Sequence, residues 1–231
     1  MDMTALLQAL LSTQTPALPD LDLMRMTRYL SWAIVLASIV MWAGRYGPRW
    51  LQRGLAGLLF VWTLIPGPLS PAFWLGLAFQ IPSLMSTVIC GVSLVLILTT
   101  GSCRVSDPAQ VRALQWAGLG GVLLGWLLLL DTFAVFPLSL YSAGFSPAAT
   151  GIAALVAVLP WMVFGPRHPW RVVSYLLGAV LLVSVLLRLP TGNMWDALLD
   201  PLLWIALQLG WLVRGVRRVN AAWRGPKATR A

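Results

Sequence analysis

The sequence has no glutamate, one lysine (Lys227), one histidine (His168) and two cysteines (Cys90 and Cys103), and charged residues make up only 10% of its 231 positions. Each shortage removes a class of chemistry. Metal sites and membrane proteases built on glutamate are excluded. A retinal Schiff base needs a lysine within the last membrane helix, and Lys227 lies beyond every apolar segment, so no retinal is expected. A haem held by two imidazoles, or a copper or zinc centre, needs several His or Cys ligands. His168 stands alone in a loop between Pro166 and Pro169, which also misplaces it for a serine–histidine dyad inside a membrane. No glycine-rich loop of the nucleotide-binding kind occurs. Cys90 and Cys103 lie about 20 Å apart if the stretch between them is helical, too far for a disulfide, and read as reduced structural thiols. No cofactor and no metal is expected.

What the sequence has in quantity is apolar length. Hydrophobic residues make up 59% of it, mean hydropathy is +0.82, and the uncharged run from Gly54 to Cys103 spans 50 residues where one bilayer crossing takes about 20. A soluble domain carries about 25% charged residues. These figures exclude intrinsic disorder and a disulfide scaffold, and they predict an all-α polytopic integral membrane protein. The net charge of +9 is concentrated: Arg214, Arg217, Arg218, Arg224, Lys227 and Arg230 occupy the last 18 positions, directly behind an apolar segment. That placement reads as a cytoplasmic anchor on anionic lipids and not as a nucleic-acid contact.

Charged and Pro/Gly boundaries cut the chain into seven apolar segments, about residues 23–44, 54–66, 82–101, 114–137, 147–164, 172–187 and 197–213. Residues 66–80, with Pro66, Pro68 and Pro71, are either a kinked continuation of the second segment or a short element lying at the interface. Alternate loops differ in charge. Arg45, Arg49, Arg53, Arg104, Arg112, Arg167 and Arg171 fall on the side of the basic tail; Asp2, Asp20, Asp22, Asp196 and Asp200 fall on the other. The positive-inside bias then predicts seven crossings of a cell inner membrane, with the N-terminus outside and the C-terminus cytoplasmic. The expected domains are an extracytoplasmic amphipathic extension at 1–22, a transmembrane bundle at 23–213 and a basic cytoplasmic tail at 214–231. Residues 1–22 lack the basic start of a cleavable signal and carry Asp2 there.

Thirteen tryptophans suit two interfacial belts, with Trp32, Trp74 and Trp195 on the outer side. Ala117, Gly121 and Gly125 form a small-residue row that makes the fourth segment the expected bundle centre, and Ala149, Ala153 and Ala157 form a second row.

The ionisable candidates are few. Asp131 follows four leucines within the fourth segment, where a carboxylate costs about 2.5–3.5 kcal/mol at mid-membrane. It is expected to order helix packing by pairing with Arg25, Arg28 or Arg188 at the outer ends, or else to relay protons or a cation. Asp196 and Asp200, four residues apart, would share one helix face. Membrane prenyltransferases use that spacing to hold a magnesium-bound diphosphate, but in two cytoplasmic clusters; one outer pair reads instead as a helix start, with Asp196 as cap and Asp200 in the first turn, in a salt-bridged loop with Arg188.

Three functions follow in order. The first is a non-catalytic subunit or scaffold whose partners are membrane lipids and other membrane protein subunits. The second is a small solute or ion permease using Asp131, lined by Gln80, Ser86, Thr87, Ser93, Thr99 and Gln208. The third is an enzyme acting on a lipid or prenyl diphosphate through Asp196 and Asp200.

Overall fold

A computed structural model describes residues 18–102, 105–135, 139–165 and 167–223, together with residues 4, 8 and 12. Every regular element among the described residues is a helix. The order is α1 (Leu21–Ala43), a 3₁₀ turn (Gly44–Tyr46), α2 (Arg49–Leu64), α3 (Pro71–Phe79), α4 (Leu84–Thr100), α5 (Pro108–Thr132), α6 (Leu140–Ala143), α7 (Pro147–Phe164), α8 (Arg171–Leu187), α9 (Met194–Leu198) and α10 (Pro201–Trp223).

The starts are written in short polar caps. Asp20, Ser70, Ser83, Asp107, Ser146 and Asn193 each accept a backbone N–H from the first turn of the helix that follows. Ser70-Pro71, Asp107-Pro108 and Ser146-Pro147 add proline at the first helical position, where its missing N–H costs nothing. The prolines of residues 66–71 end α2 and start α3 as a separate short helix, which settles the two readings of that stretch. Trp32, Val35 and Ala72 form one buried cluster that holds α3 on α1.

The seven apolar segments all fold as helices, but two of them, α1 with its 3₁₀ turn and α5, are long and apolar enough to cross a membrane. Helices α4 and α8 have 17 residues each and α7 has 18, below the usual crossing length of about 20. Helix α10 has 23 residues and runs through Arg214, Arg217 and Arg218, so the start of the expected basic tail is helical. The extension at 1–22 lies mostly outside the described residues, as do Cys103, Arg104, Lys227 and the rest of 224–231.

The bundle centre is not where the small-residue row placed it. In the apolar window of α5 only 6% of residues are buried, against 39% for α1. The glycine face of α5 accepts one neighbour: Gly118 and Gly121 meet Leu207, and Gly125 meets the indole of Trp204, so α10 covers that face while Leu123, Trp126 and Leu127 stay exposed. The centre lies instead along α1, α4 and α8, where Ala149, Ala153 and Ala157 of α7 do pack against Leu84, Val180 and Leu181. Trp32 belongs to this interior, 2% exposed with its indole N–H donated to the Gln80 carbonyl, and not to an interfacial belt.

Helix ends segregate by charge. Arg49 stacks at Gly101 and Arg53 reaches the Leu98 carbonyl, bringing the starts of α2 and the end of α4 together at a basic end. Asp200 ties the start of α10 to the start of α4 at the other end. The Gly121–Leu207 and Gly125–Trp204 contacts run α5 and α10 antiparallel, so Arg112 and Arg214 also belong to the basic end, while Asp131 belongs to the acidic one.

Candidate functional site

The acidic end collects all six ionisable residues that the sequence singles out, and each does something different from what spacing suggested. Leu199 is extended (φ −144°, ψ 133°) and separates α9 from α10, so Asp196 and Asp200 lie on two helices and share no helix face. Asn193, not Asp196, caps α9, by accepting from the Trp195 N–H at 2.9 Å. Asp196 sits in the first turn of α9, and Asp200 precedes Pro201 and caps α10 through the Leu203 N–H at 2.8 Å.

Asp200 is buried and its carboxylate serves two helix starts at once. Besides Leu203 it accepts from the Ser83 N–H at 2.8 Å and from the Ser86 hydroxyl, both at the start of α4. A negative charge at two helix N-termini meets two positive dipole ends, which is where a buried carboxylate is best placed. Ser83 also caps Ser86, so four polar groups close on one another there.

Asp196 accepts from the Thr191 hydroxyl at 2.6 Å and from the Tyr141 hydroxyl at 3.0 Å. Burial pushes the Tyr141 phenol up to about 12, and the adjacent Asp196 charge and hydrogen bond add to the shift. Asn193 is fully buried and donates to the Tyr141 carbonyl at 3.0 Å, Trp195 donates its indole N–H to the Leu140 carbonyl at 2.8 Å, and the Met194 N–H donates to the Gly144 carbonyl at 2.9 Å. A Cβ on Gly144 would lie 1.9 Å from the Asn193 side-chain oxygen, so this close approach requires glycine. The loop between α8 and α10 is thereby stitched to α6.

Asp131 stands in the last turn of α5, which ends at Thr132, and not in the interior of a longer helix. Its carboxylate is half-buried and accepts from the Tyr141 backbone N–H at 2.8 Å. Neither Asp131, Asp196 nor Asp200 pairs with an arginine: the ion pair among the described residues is Arg25–Asp22, at 3.4 Å and largely exposed. Arg188 is exposed and ends α8 in a left-handed conformation (φ 56°) with its N–H on Ser184, so the loop is hydrogen-bonded and not salt-bridged.

Arg25 and Arg28 face elsewhere. With Asp196, Asp200 and Gln80 they line a cleft of about 370 Å³ whose other walls include Leu21, Met24, Phe79, Ile81 and Leu199. The Arg28 guanidinium lies 5.4 Å from the Tyr29 ring centroid, and its Nε is buried without a hydrogen-bond partner. Gln80 lines the rim in a backbone conformation that favours glycine (φ 62°, ψ −138°), held by the Trp32 bond to its carbonyl and by its own N–H on Gly76.

Among the described residues no three His, Cys, Asp or Glu side chains converge as a metal site. Of the residues expected to line a permeation path, Ser86 is taken by Asp200, Thr87 by the Ser83 carbonyl and Thr99 by the Val95 carbonyl; Gln80 alone of these reaches the cleft. Sequence reasoning missed Ser83, Tyr141 and Asn193. Ser83, just before an apolar run and three residues ahead of Ser86, carries a cap signal, and Gly192-Asn193 a turn signal; nothing local marks Tyr141. Comparison with protein-family models, with curated proteins and with solved structures finds no match for this chain.

Proposed function

We propose that the chain is a multi-pass membrane bundle of seven crossings, acidic end outside and basic end cytoplasmic, that serves as a non-catalytic subunit or scaffold of a membrane assembly. The observation that carries the non-catalytic reading is the use made of the carboxylates. Asp131, Asp196 and Asp200 each engage their carboxylates in hydrogen bonds that hold helix ends and loops together, which supports a structural use of these acids. The membrane reading is supported by the apolar circumference of α5, which is neither buried nor next to the N-terminus. The excess of arginines at one end of the bundle, against Arg25, Arg28 and Arg188 at the other, supports its orientation. Short helices such as α4 and α8 cross a bilayer when flanking residues snorkel or the bilayer thins locally. A permease coupled through Asp131 is less favoured because that carboxylate serves the Tyr141 N–H at a helix end, and a diphosphate enzyme because Asp196 and Asp200 lie on separate helices.

Two measurements test this. In intact cells an impermeant thiol reagent should leave Cys103 unlabelled and should label an Asp20→Cys variant; the reverse pattern refutes the orientation. Extracted from its own cells in mild detergent, the chain should run with a second polypeptide at fixed ratio. Solute uptake by the purified chain alone, abolished in Asp131→Asn, would replace the scaffold reading with the permease.

A further inference from the structure

The cleft at the acidic end has a charge arrangement that nothing among the described residues resolves. Arg25 and Arg28 project from the first turns of α1, Asp196 and Asp200 from the α9–α10 segment, and all four line the same cavity. Yet no pair across it comes within ion-pair distance; Arg25 turns instead to Asp22 on its own helix. The Arg28 Nε is withdrawn from solvent and has no hydrogen-bond acceptor among the described residues. Gly76 is what leaves it room, since a Cβ there would lie 2.8 Å from the Arg28 Cδ. Apart from Gln80 and Thr191 the rest of the cleft is apolar, and Leu21 and Phe79 carry that apolar wall out to the exposed surface of the bundle.

We propose that this cleft binds one zwitterionic amphiphile through a phosphoryl–ammonium headgroup, its phosphate on Arg28 and Arg25 and its ammonium toward Asp196. A guanidinium fork matches two phosphate oxygens, and the Arg28 Nε has no partner among the described residues. The exposed Arg25–Asp22 contact is weak and yields its guanidinium readily. A carboxylate offers about four lone-pair sites, so Asp196 can accept from an ammonium while keeping Thr191 and Tyr141. A simple anion satisfies the arginines but meets the two aspartates across the cleft, and a simple cation meets the converse; a ligand with separated charges suits both walls. The apolar lip at Leu21 and Phe79 takes the start of a hydrocarbon tail. The tail alone rests on the membrane reading; the headgroup chemistry does not.

The test uses the full chain in nanodiscs, with native mass spectrometry counting retained molecules. Phosphoethanolamine lipid should be retained at one per chain and at least tenfold over phosphoglycerol lipid, which lacks the ammonium. Arg28→Gln and Gly76→Ala should lower retention about tenfold, the second with every charge intact. Asp196→Asn should erase the preference between the two lipids. Arg188→Gln, an exposed arginine at the same end but outside the cleft, should change nothing. Water-soluble phosphoethanolamine should compete only weakly; if it binds at one per chain while the lipid is not retained, the ligand is a free zwitterion and the amphiphile is refuted, the headgroup chemistry surviving. Equal or better retention of the phosphoglycerol lipid, equal loss in Arg188→Gln, or the absence of stoichiometric retention of either probe overturns the proposal. If Asp196→Asn unfolds, Arg28→Gln and Gly76→Ala decide alone.

Discussion

Asp200 should be the most costly of the acidic residues to remove, and the cost can be worked from its partners. It is 8% exposed and accepts from two backbone N–H groups and one hydroxyl. In Asp200→Ala the Ser86 hydroxyl can turn to another acceptor, and Ser83 already donates its hydroxyl to Ser86. The N–H groups of Ser83 and Leu203 cannot turn. Each buried orphan costs about 1–3 kcal/mol, and α10 also loses its cap, itself worth about 1 kcal/mol and partly the same term. The expected loss is about 3–5 kcal/mol, or roughly 6–20 °C in the melting temperature of a chain this size. Asp200→Asn keeps one acceptor oxygen but turns an NH₂ toward the remaining donors, and should fall near the middle of that range. Asp131→Asn, with one bond at a half-buried helix end, should cost under about 1 kcal/mol. The assay is tryptophan-monitored thermal unfolding in the detergent used for purification, because Trp204 stands one turn beyond Asp200. The reasoning is refuted if Asp200→Ala melts within about 2 °C of the parent, or if Asp131→Asn costs as much.

Three further outcomes are expected. Tyr141 is raised in the folded chain, so its contribution is complete below pH 10.0, the ordinary phenol value, and is lost as pH rises through about 12; with the side chain 40% exposed and solvent-screened it is worth no more than about 1 kcal/mol, and Tyr141→Phe should remove the latest-titrating phenolate from the absorbance curve. Gly125→Ala puts a Cβ 2.4 Å from the Trp204 ring, so it should cost about 1–3 kcal/mol and shift tryptophan emission as the indole leaves its 3.2 Å bond to the Val122 carbonyl; unchanged emission contradicts the packing. Amide exchange along α10 should be slow over its first two turns and fast from Arg214 to Trp223, and uniform protection would refute the uneven fastening described below.

The helices were legible because their signals are local. Apolar runs bounded by Ser-Pro, glycine and arginine give α7 and α8 to within a residue, and the Ala149–Ala157 row gives the face that α7 buries. Depth and partnership were not legible. A small-residue row says that a neighbour can approach, not how many do, so α5 was placed at the centre when α10 is the one helix its glycines meet. Asp131 looked interior because Phe133 to Phe136 extend the apolar run, whereas the helix stops at Thr132. The spacing of Asp196 and Asp200 carried meaning only for an unbroken helix, and Leu199 breaks it. Sequence did assemble Arg25, Arg28, Asp196 and Asp200 at one end, since sidedness follows from counting helices; that they line one cleft depends on loops that no spacing rule describes.

How the bundle is fastened bears on what it does. Among the described residues the three buried clusters hold nothing from α5, and α10 reaches one of them through the partly buried Leu202 alone, so apolar burial does little to place those helices. In a lipid environment that is the expected economy: hydrocarbon solvates a leucine as well as another helix does, and polar bonds with close small-residue contacts decide which helices meet. Here those bonds gather at the acidic end. Asp200 joins α10 to α4, Asp131 joins α5 to α6, and Trp204 joins α10 to α5. Further along α10 the balance reverses, where the Trp211 indole nitrogen and the Arg214 Nε are buried without partners. The Arg214 guanidinium lies 5.0 Å from the Trp211 ring centroid. A helix fastened at its start and carrying donors without partners further along suits contacts beyond the bundle. That use of α10, with the carboxylates of Asp131 and Asp200 engaged at helix ends, favours the proposed subunit over a self-contained catalyst or carrier.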